Sequence, residues 1–345
     1  MRGLWKYISP FAPDQSGAAA VLYGLGGLVV VCDAGGCAGN ICGFDEPRWF
    51  TGAPSAAFSA GLRDMDAILG RDDRLVDKLC AAAAQIEAPF AAIIGTPVPA
   101  VIATDYQALR RLAEKRLSLP VVTIETKGTE RYDTGASMAY EGLCRRFARK
   151  EQARQRGRLN VLGALPLDTG CTEYTFLQEF LRHTGWQDVR IFGTHGLTDY
   201  ETAGAAEKNL VLAPAGLAAA RYLEEAFGTP YEVAYPVLPN VEKLPHDVTG
   251  KRILIVHQQV LANEVRRHLK GADVTVATWF LLQADLAQDG DCHLKEEDDF
   301  IQLADNDHFD IIIADEFLRR ALPHFHGSFF DLPHFAVSGR CCVYD

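Results

Sequence analysis

Three cysteines stand at intervals of five residues in the segment VVVCDAGGCAGNICGFDEP. Cys32 ends an apolar run typical of a buried strand, and Cys37 and Cys42 follow in a glycine-rich turn. Cysteine thiolates are the usual ligands of iron-sulfur clusters, and glycines such as Gly35 and Gly36 allow backbone amides to approach the sulfur atoms. These residue types therefore indicate a candidate iron-sulfur site, with the two glycines beside the cofactor.

The spacing alone leaves other interpretations open. It differs from the compact C-x2-C-x2-C of bacterial ferredoxins, and it contains no C-x2-C pair of the kind that binds zinc. Core cysteines beside a tight turn would give the same pattern, and so would an anion-binding loop, although neither G-x-G-x-x-G nor a P-loop is present. Cys80, in a predicted helix, is a further candidate ligand. The remaining cysteines are scattered and are predicted to be structural: Cys144, Cys171, Cys292, Cys341 and Cys342.

The composition limits the class of protein. With 48% hydrophobic and 23% charged residues the chain is predicted to be globular, and it contains no apolar run long enough to cross a bilayer. The net charge of −11 disfavours nucleic acid as a partner. The N-terminal residues lack the features of a secretory signal, so we expect a cytoplasmic protein whose nine cysteines do not form a disulfide framework.

Strand-like apolar runs alternate with amphipathic helical segments throughout the 345 residues, which is typical of an α/β fold with parallel sheets. A chain of this length exceeds one hydrophobic core. Two polar segments divide it, and we predict three Rossmann-like domains around a central cleft. The predicted domains span residues 1–150, which carry the cluster loop, 158–240 and 250–345.

Candidate catalytic residues are polar groups at the ends of predicted strands, where α/β proteins bind ligands. Asp168, His195 and His334 are the predicted proton donors or substrate contacts, and Glu173 and His257 occupy similar positions. A residue of this kind, taken alone, is more often a helix cap, a surface group or a hydrogen-bonded core histidine than a catalytic group.

The order of several segments resembles the nitrogenase component 1 superfamily, which comprises the nitrogenase molybdenum-iron protein subunits, their cofactor-assembly relatives and the dark-operative protochlorophyllide and chlorophyllide reductases. The segments that carry the resemblance are PDQSGAAAVLYGLGGLVVVCDAGGCAGN, DMDAILGRDDRLVDKL, AAIIGTPVPAVIATD, LPVVTIETKGTERYDTG, LNVLGALPLDTGCTEYTFLQEFLRHTG, KNLVLAPAGLAAARYLEEAFGTPYEVAYPVLP, GKRILIVHQQVLANEVRRHL, FDIIIADE and LPHFAVSG. Each motif is short, but their order over the three predicted domains is specific.

The resemblance implies that Cys37 is a ligand of a cluster that bridges two subunits. Pro13 and Pro97 stand where the family has its other two cluster cysteines, and Cys32 stands where the family usually has histidine. These departures have two explanations. Either the ligand set has moved, or the site is asymmetric and is completed by a second chain.

In the relocated set, Cys32 and Cys42 replace the lost thiols around Cys37, and Cys80 is a fourth ligand or a bystander. No residue clearly supplies the cysteine anchor of the nitrogenase cofactor, and His334 lies near, but not on, the position of the cofactor histidine. Reduction of dinitrogen is therefore not expected.

The activity implied by the resemblance is reduction of a small molecule under anaerobic conditions. A 4Fe-4S iron-sulfur cluster at a subunit interface, between two copies or with a paralogous subunit, would receive electrons from a nitrogenase-reductase-like ATPase. Two alternatives remain: a scaffold on which a metallocofactor is assembled, and a non-redox α/β protein that binds a small ligand.

Overall fold

The computed structural model describes residues 5–46, 48, 55–150, 152–239 and 241–342. It contains three parallel β-sheets flanked by helices, which confirms the predicted α/β class with Rossmann-like units. Among the described residues, no helix is both long and apolar enough to span a membrane.

The first sheet has the strand order β2-β1-β3-β4, with all neighbouring strands parallel. Its strands are β1 (Leu28–Val31), β2 (Ala56–Ser59), β3 (Ala91–Ile94) and β4 (Val121–Ile124). The helices of this unit are α1 (Asp14–Leu22), α2 (Gly36–Asn40), α3 (Asp64–Leu69), α4 (Asp72–Ala83), α5 (Pro97–Val101), α6 (Tyr106–Leu117) and α7 (Tyr132–Phe147). A π-helical turn, Ile41–Asp45, continues α2.

The middle sheet has the order β6-β5-β7-β8. Its strands are β5 (Gln155–Leu162), β6 (Asp188–Ile191), β7 (Ala206–Val211) and β8 (Tyr231–Val233), and its helices are α8 (Pro166–Thr169), α9 (Thr175–His183), α10 (Thr198–Glu201) and α11 (Leu217–Phe227). Short 3-10 turns cover Ala203–Ala205 and Pro214–Gly216.

The third sheet has the order β11-β10-β9-β12-β13. Its strands are β9 (Arg252–Val256), β10 (Asp273–Thr278), β11 (Cys292–His293), β12 (Ile311–Ala314) and β13 (Ser328–Asp331), and its helices are α12 (Gln259–His268), α13 (Glu297–Asn306) and α14 (Phe335–Ser338). Further 3-10 turns cover Val241–Lys243, Ala284–Leu286 and Glu316–Ala321. The domain boundaries remain a prediction, and the strands of the three sheets fall within residues 28–124, 155–233 and 252–331.

Helices α1 and α7 pack at very close range, and this contact positions the start of α7. A Cβ atom on Gly17 would lie 1.7 Å from the carbonyl oxygen of Tyr132, and one on Gly135 would lie 1.8 Å from the carbonyl oxygen of Asp14. Only glycine permits this backbone approach at either position. All residues of α1 are buried, so the helix lies wholly inside the protein.

The N-terminal segment is attached to the third unit through one buried carboxylate. Glu297, in the first turn of α13, accepts hydrogen bonds from the backbone amides of Lys6, Tyr7 and Ile8 at 2.8 to 3.2 Å. A buried carboxylate needs such partners, since an unpaired charge in the interior is costly. The N-terminal segment is therefore hydrogen-bonded directly to a helix of the third unit.

Candidate functional site: a thiol segment and a buried polar cluster

Cys32 lies directly after β1 and is buried. Its backbone amide donates to the carbonyl of Ile94 at 2.8 Å, and its own carbonyl accepts a 2.7 Å hydrogen bond from Oγ1 of Thr96. Its side chain belongs to the same apolar cluster as Leu28 and Val30, as expected from strand alternation. Burial raises the pKa of this thiol to about 12, so without a bound metal it is protonated at neutral pH.

Cys37 and Cys42 lie on the opposite side of the first sheet. Both are half-buried, and both pack against the core that contains Val29 and Val31. Asp33 fixes the turn before them, because its carboxylate accepts a 2.8 Å hydrogen bond from the amide of Ala38. Burial raises the pKa of both thiols, and the charge of Asp33 adds to the effect at Cys37.

Cys80 lies on α4, half-buried, and packs against the apolar cluster that contains Cys32. The four candidate thiols are thus divided between two faces of the sheet, with Cys32 and Cys80 on one and Cys37 and Cys42 on the other. Among the described residues, no group of three or more Cys, His, Asp or Glu side chains is arranged to hold a metal ion. The predicted ligand set of four is therefore not gathered within one chain, and it stays a prediction.

The segment from Gly35 to Asp45, which we call the thiol segment, is rich in glycine. Among the described residues, no atom lies within 4 Å of a Cβ atom built on any of these glycines: Gly35, Gly36, Gly39 and Gly43. Gly35 has a φ of 128°, a conformation that other residues rarely adopt. The backbone around Cys37 and Cys42 is therefore accessible to a bulky group.

Pro13 and Pro97, which the resemblance places at the positions of two cluster cysteines, both lie near the loop that contains Gly128. Pro13 pairs with Arg131, and the next residue, Asp14, accepts hydrogen bonds from the amides of Lys127 and Gly128 at 2.8 and 2.7 Å. The Pro97 ring is so close to Gly128 that a Cβ atom there would lie 2.4 Å from it. Pro13 is half-buried and Pro97 is exposed, and neither position offers a sulfur.

The positions of the four candidate thiols can be compared with the ligands that an iron-sulfur cluster requires. A cluster held entirely by one chain does not fit these residues, because only Cys37 and Cys42 are both accessible and on one face. A cluster shared with a second chain does fit, because the thiol segment offers two sulfurs and an open surface lined by glycines.

A second group of functional side chains lies where the three units meet. The hydroxyl of Tyr132, the first residue of α7, donates a 2.5 Å hydrogen bond to Oδ1 of Asp168 in α8, and it lies 3.2 Å from Nε2 of His334, which precedes α14. Exposure of Tyr132, Asp168 and His334 is 0%, 2% and 1%, respectively. One residue from each unit therefore contributes to this buried polar cluster.

Burial sets the protonation of the cluster. It raises the pKa of Asp168 to about 7, although the hydrogen bond from Tyr132 opposes the effect, and it lowers the pKa of His334 to about 4. His334 is therefore neutral at pH 7, while Asp168 is poised to take up or release a proton. Within the described part of the chain, Oδ2 of Asp168 and Nδ1 of His334 have no hydrogen-bond partner.

His257, which like His334 belongs to the third unit, extends the cluster. Its ring stacks on the His334 ring with a centroid distance of 4.0 Å, and the ring of Phe280 packs against the His334 ring at 4.9 Å. Nδ1 of His257 accepts from the amide of Gln258, which leaves Nε2 to donate to the carbonyl of Pro333 at 3.1 Å. Burial lowers the pKa of His257 well below its usual value, so this ring is neutral.

His195 is not part of this cluster. Its side chain is 40% exposed, lies 3.3 Å from Oδ1 of Asp199, and is hydrogen-bonded to Thr194. Glu173 lies with Thr194 in the wall of a separate cavity of about 330 Å³. The structure thus brings Asp168 and His334 together and leaves His195 apart, while the catalytic role of all three stays a prediction.

Sequence reasoning did not single out Tyr132 or its neighbour Asp133. Asp133 is also buried, and it accepts hydrogen bonds from the amides of Thr134 and Leu281, the latter in the third unit. Both residues lie at the start of a helix, after the loop that follows β4. Asp168 was predicted because it also follows a strand, so the same rule could have indicated Tyr132 and Asp133.

The fold is a three-sheet α/β architecture whose units meet at a buried polar cluster. The sequence profile of the nitrogenase component 1 type oxidoreductase family matches residues 14–240, and the chain belongs to that family. This match confirms the resemblance seen in the sequence.

Solved structures with the same fold include "Nitrogenase Cp1 at pH 6.5", with a TM-score of 0.70 and 12% sequence identity, covering 96% of this chain and 87% of that one. Another is "Nitrogenase Cp1 at pH 5", with a TM-score of 0.68 and 15% identity, covering 91% of this chain and 81% of that one. A comparison with curated proteins gives no significant match.

Proposed function

We propose that this protein is an oxidoreductase subunit that shares a 4Fe-4S cluster with a second subunit and reduces a small molecule other than dinitrogen. Cys37 and Cys42 are the ligands that this chain contributes, and the partner supplies the rest. The partner is a second copy or a paralogous component 1 subunit. A nitrogenase-reductase-like ATPase is the electron donor.

The observation that carries the proposal is the partial exposure of both thiols, Cys37 and Cys42, on a glycine-lined segment. The thiol segment follows β1, and α3 and α5 follow β2 and β3, so all three lie at the carboxyl edge of one parallel sheet. Large apolar side chains are exposed on these two helices: Met65, Leu69, Val98 and Val101, of which Val101 is 85% exposed. Such an apolar edge suits burial against another subunit.

When bound, the cluster supplies low-potential transfer of single electrons. The chain's own contribution there is to present two sulfurs on a turn fixed by Asp33 and to leave room for backbone amides to face the cofactor. At the junction of the three units, Asp168 holds a proton that a reduction can consume, and Tyr132 contacts both Asp168 and the neutral ring of His334.

The test is purification under strictly oxygen-free conditions, followed by measurement of iron, acid-labile sulfide and the visible spectrum. We expect iron and sulfide in the wild-type protein, and loss of most of both in Cys37→Ser and Cys42→Ser. Cys341→Ser, which changes an exposed thiol in the C-terminal segment, is the matched control and should keep the metal.

Cys32→Ala separates the two explanations of the ligand set, because Cys32 is a ligand only in the relocated set. Retained iron in this variant supports a cluster shared between chains, whereas loss of iron supports the relocated set of four thiols. Wild-type iron content in both Cys37→Ser and Cys42→Ser would refute the proposal.

A further inference from the structure

A cavity of about 510 Å³ lies between the first and third units, beside the buried polar cluster. Its walls come from segments 129–134, 279–282 and 293–295. Phe280, in the second wall, also contacts the rings of Tyr132 and His334, at 5.0 and 4.9 Å. The size is typical of a small-molecule site.

Two cations line this cavity, the half-buried Arg131 and the exposed Lys295. The guanidinium of Arg131 lies over the rings of Trp5 and Phe11, at 5.3 and 5.4 Å, and donates to the backbone carbonyl of Lys295. Within the described part of the chain, neither Arg131 nor Lys295 forms a salt bridge. Arg48, which is also half-buried, is by contrast paired with Glu46.

The remaining titratable groups of the cavity show that its field is positive. Burial lowers the pKa of His293, and the charges of Lys295 and Arg131 lower it further. Burial raises the pKa of Asp133 to about 7, so this carboxyl group is largely uncharged below neutral pH. Glu130 and Lys295 are both exposed, so solvent screens the charge of each, and the half-buried Arg131 contributes most to the field.

We propose that this cavity binds a small organic acid, whose carboxylate pairs with Arg131 and Lys295 and whose apolar body packs against Phe280 and Leu282. Arginine and lysine are the side chains that pair best with a carboxylate, and the apolar wall excludes a purely inorganic anion. That this acid is the substrate rests on the proposed function, whereas binding of the acid can be tested alone.

The pH dependence follows from the same groups. Burial and repulsion from Asp168 both raise the pKa of Asp133, so this carboxyl group acquires its negative charge only around and above pH 7. Because Arg131 and Lys295 then face an internal anion, affinity for an external carboxylate falls. We expect affinity to decrease from pH 6 to pH 8 in the wild type, and to change little in Asp133→Asn.

The experiment is calorimetric titration of the full chain at pH 6 with benzoate, its neutral isostere benzamide, and inorganic phosphate. We expect benzoate to bind about tenfold more tightly than either of the others. Arg131→Gln and Lys295→Met should each weaken benzoate binding about fivefold or more. Lys208→Met, which removes an exposed lysine paired with Glu232, is the matched control and should bind as the wild type does.

Equal affinities for benzoate and benzamide would overturn the inference, as would absence of benzoate binding. So would wild-type benzoate affinity in Arg131→Gln and Lys295→Met proteins that keep the wild-type melting temperature. Tighter binding of phosphate than of benzoate would also overturn it. The titration needs neither iron nor a reductase, so its failure is separate from failure of the iron measurements on Cys37→Ser.

Discussion

The hydroxyl oxygen of Tyr132 lies 2.5 Å from Oδ1 of Asp168, and this hydrogen bond joins the first unit to the middle one inside the protein. The same hydroxyl faces His334 of the third unit at 3.2 Å. A single phenol thus connects all three units, which makes it the most direct point at which to test the buried cluster.

Tyr132→Phe removes this hydroxyl and leaves two buried polar atoms, Oδ1 of Asp168 and Nε2 of His334, without their shared partner. We expect a loss of about 1–3 kcal/mol in the free energy of unfolding, measured by urea denaturation. Tyr7→Phe, at a site 43% exposed, is the control and should unfold at the wild-type urea concentration. Equal stability of the two variants would show that the hydrogen bond contributes little.

Asp168→Asn should change how stability depends on pH. The folded-state pKa of Asp168 is raised to about 7, above its usual value of 3.8, so the folded protein binds more protons than the unfolded chain between these values. This group therefore costs stability progressively as the pH rises from about 4 to 7.

Compared with the wild type, Asp168→Asn should gain relative stability over that interval, by an amount on the order of 2–4 kcal/mol. The difference between the two proteins is the quantity to measure, because His334, whose pKa is lowered to about 4, contributes the opposite slope in both. Urea unfolding at several pH values between 4.5 and 8 gives that difference. Parallel curves would contradict the raised pKa.

Gly17→Ala should disrupt the contact between α1 and α7, because the new methyl group would lie 1.7 Å from the Tyr132 carbonyl oxygen. The helices would have to separate, and we expect a loss of about 3 kcal/mol or more, or failure to fold. Thermal unfolding followed by circular dichroism measures the effect.

Gly142→Ala provides the matched control within α7. Its Cβ would meet side-chain atoms of Ile124 and Val122 at 3.6 and 3.9 Å, which are ordinary contacts. Since alanine favours helix over glycine, we expect this variant to be as stable as the wild type or more stable by up to about 1 kcal/mol. A loss at residue 142 as large as that at residue 17 would argue against the close approach of the two helices.

Thiol alkylation of the metal-free protein should follow exposure. We expect Cys341 to react first with iodoacetamide at pH 8, Cys37 and Cys42 about tenfold more slowly because burial raises their pKa values, and Cys32 and Cys144 only on unfolding. Mass spectrometry of peptides after timed quenching gives the rates. Rapid labelling of Cys32 would contradict its burial at the end of β1.

Much of the fold is predictable because its strands are continuous apolar runs. The segments LVVV, AAII and IIIA are buried on both faces as β1, β3 and β12, and the alternation with helices requires parallel pairing. Strand parity also carried information about the thiols. The side chain of Cys32 lies on the same face of the sheet as Val30, and Cys37 and Cys42 lie on the opposite face.

The rest of the site depends on tertiary packing that no local pattern encodes. Asp168 and His334 are 166 positions apart, and the strand-end rule places each at an edge without saying that the edges meet. Tyr132 joins them because α1 and α7 approach closely at two glycines. Such an approach is visible only once both helices are placed.

The hydrogen bonds from Lys6, Tyr7 and Ile8 to Glu297 have a consequence for proteolysis. They close the chain into a loop, so the N-terminal segment adds to the buried contacts of Tyr132 and Asp133 that hold the third unit to the first. A single cut between β8 and β9 would therefore leave the fragments associated, and they would travel together through a sizing column until urea separated them.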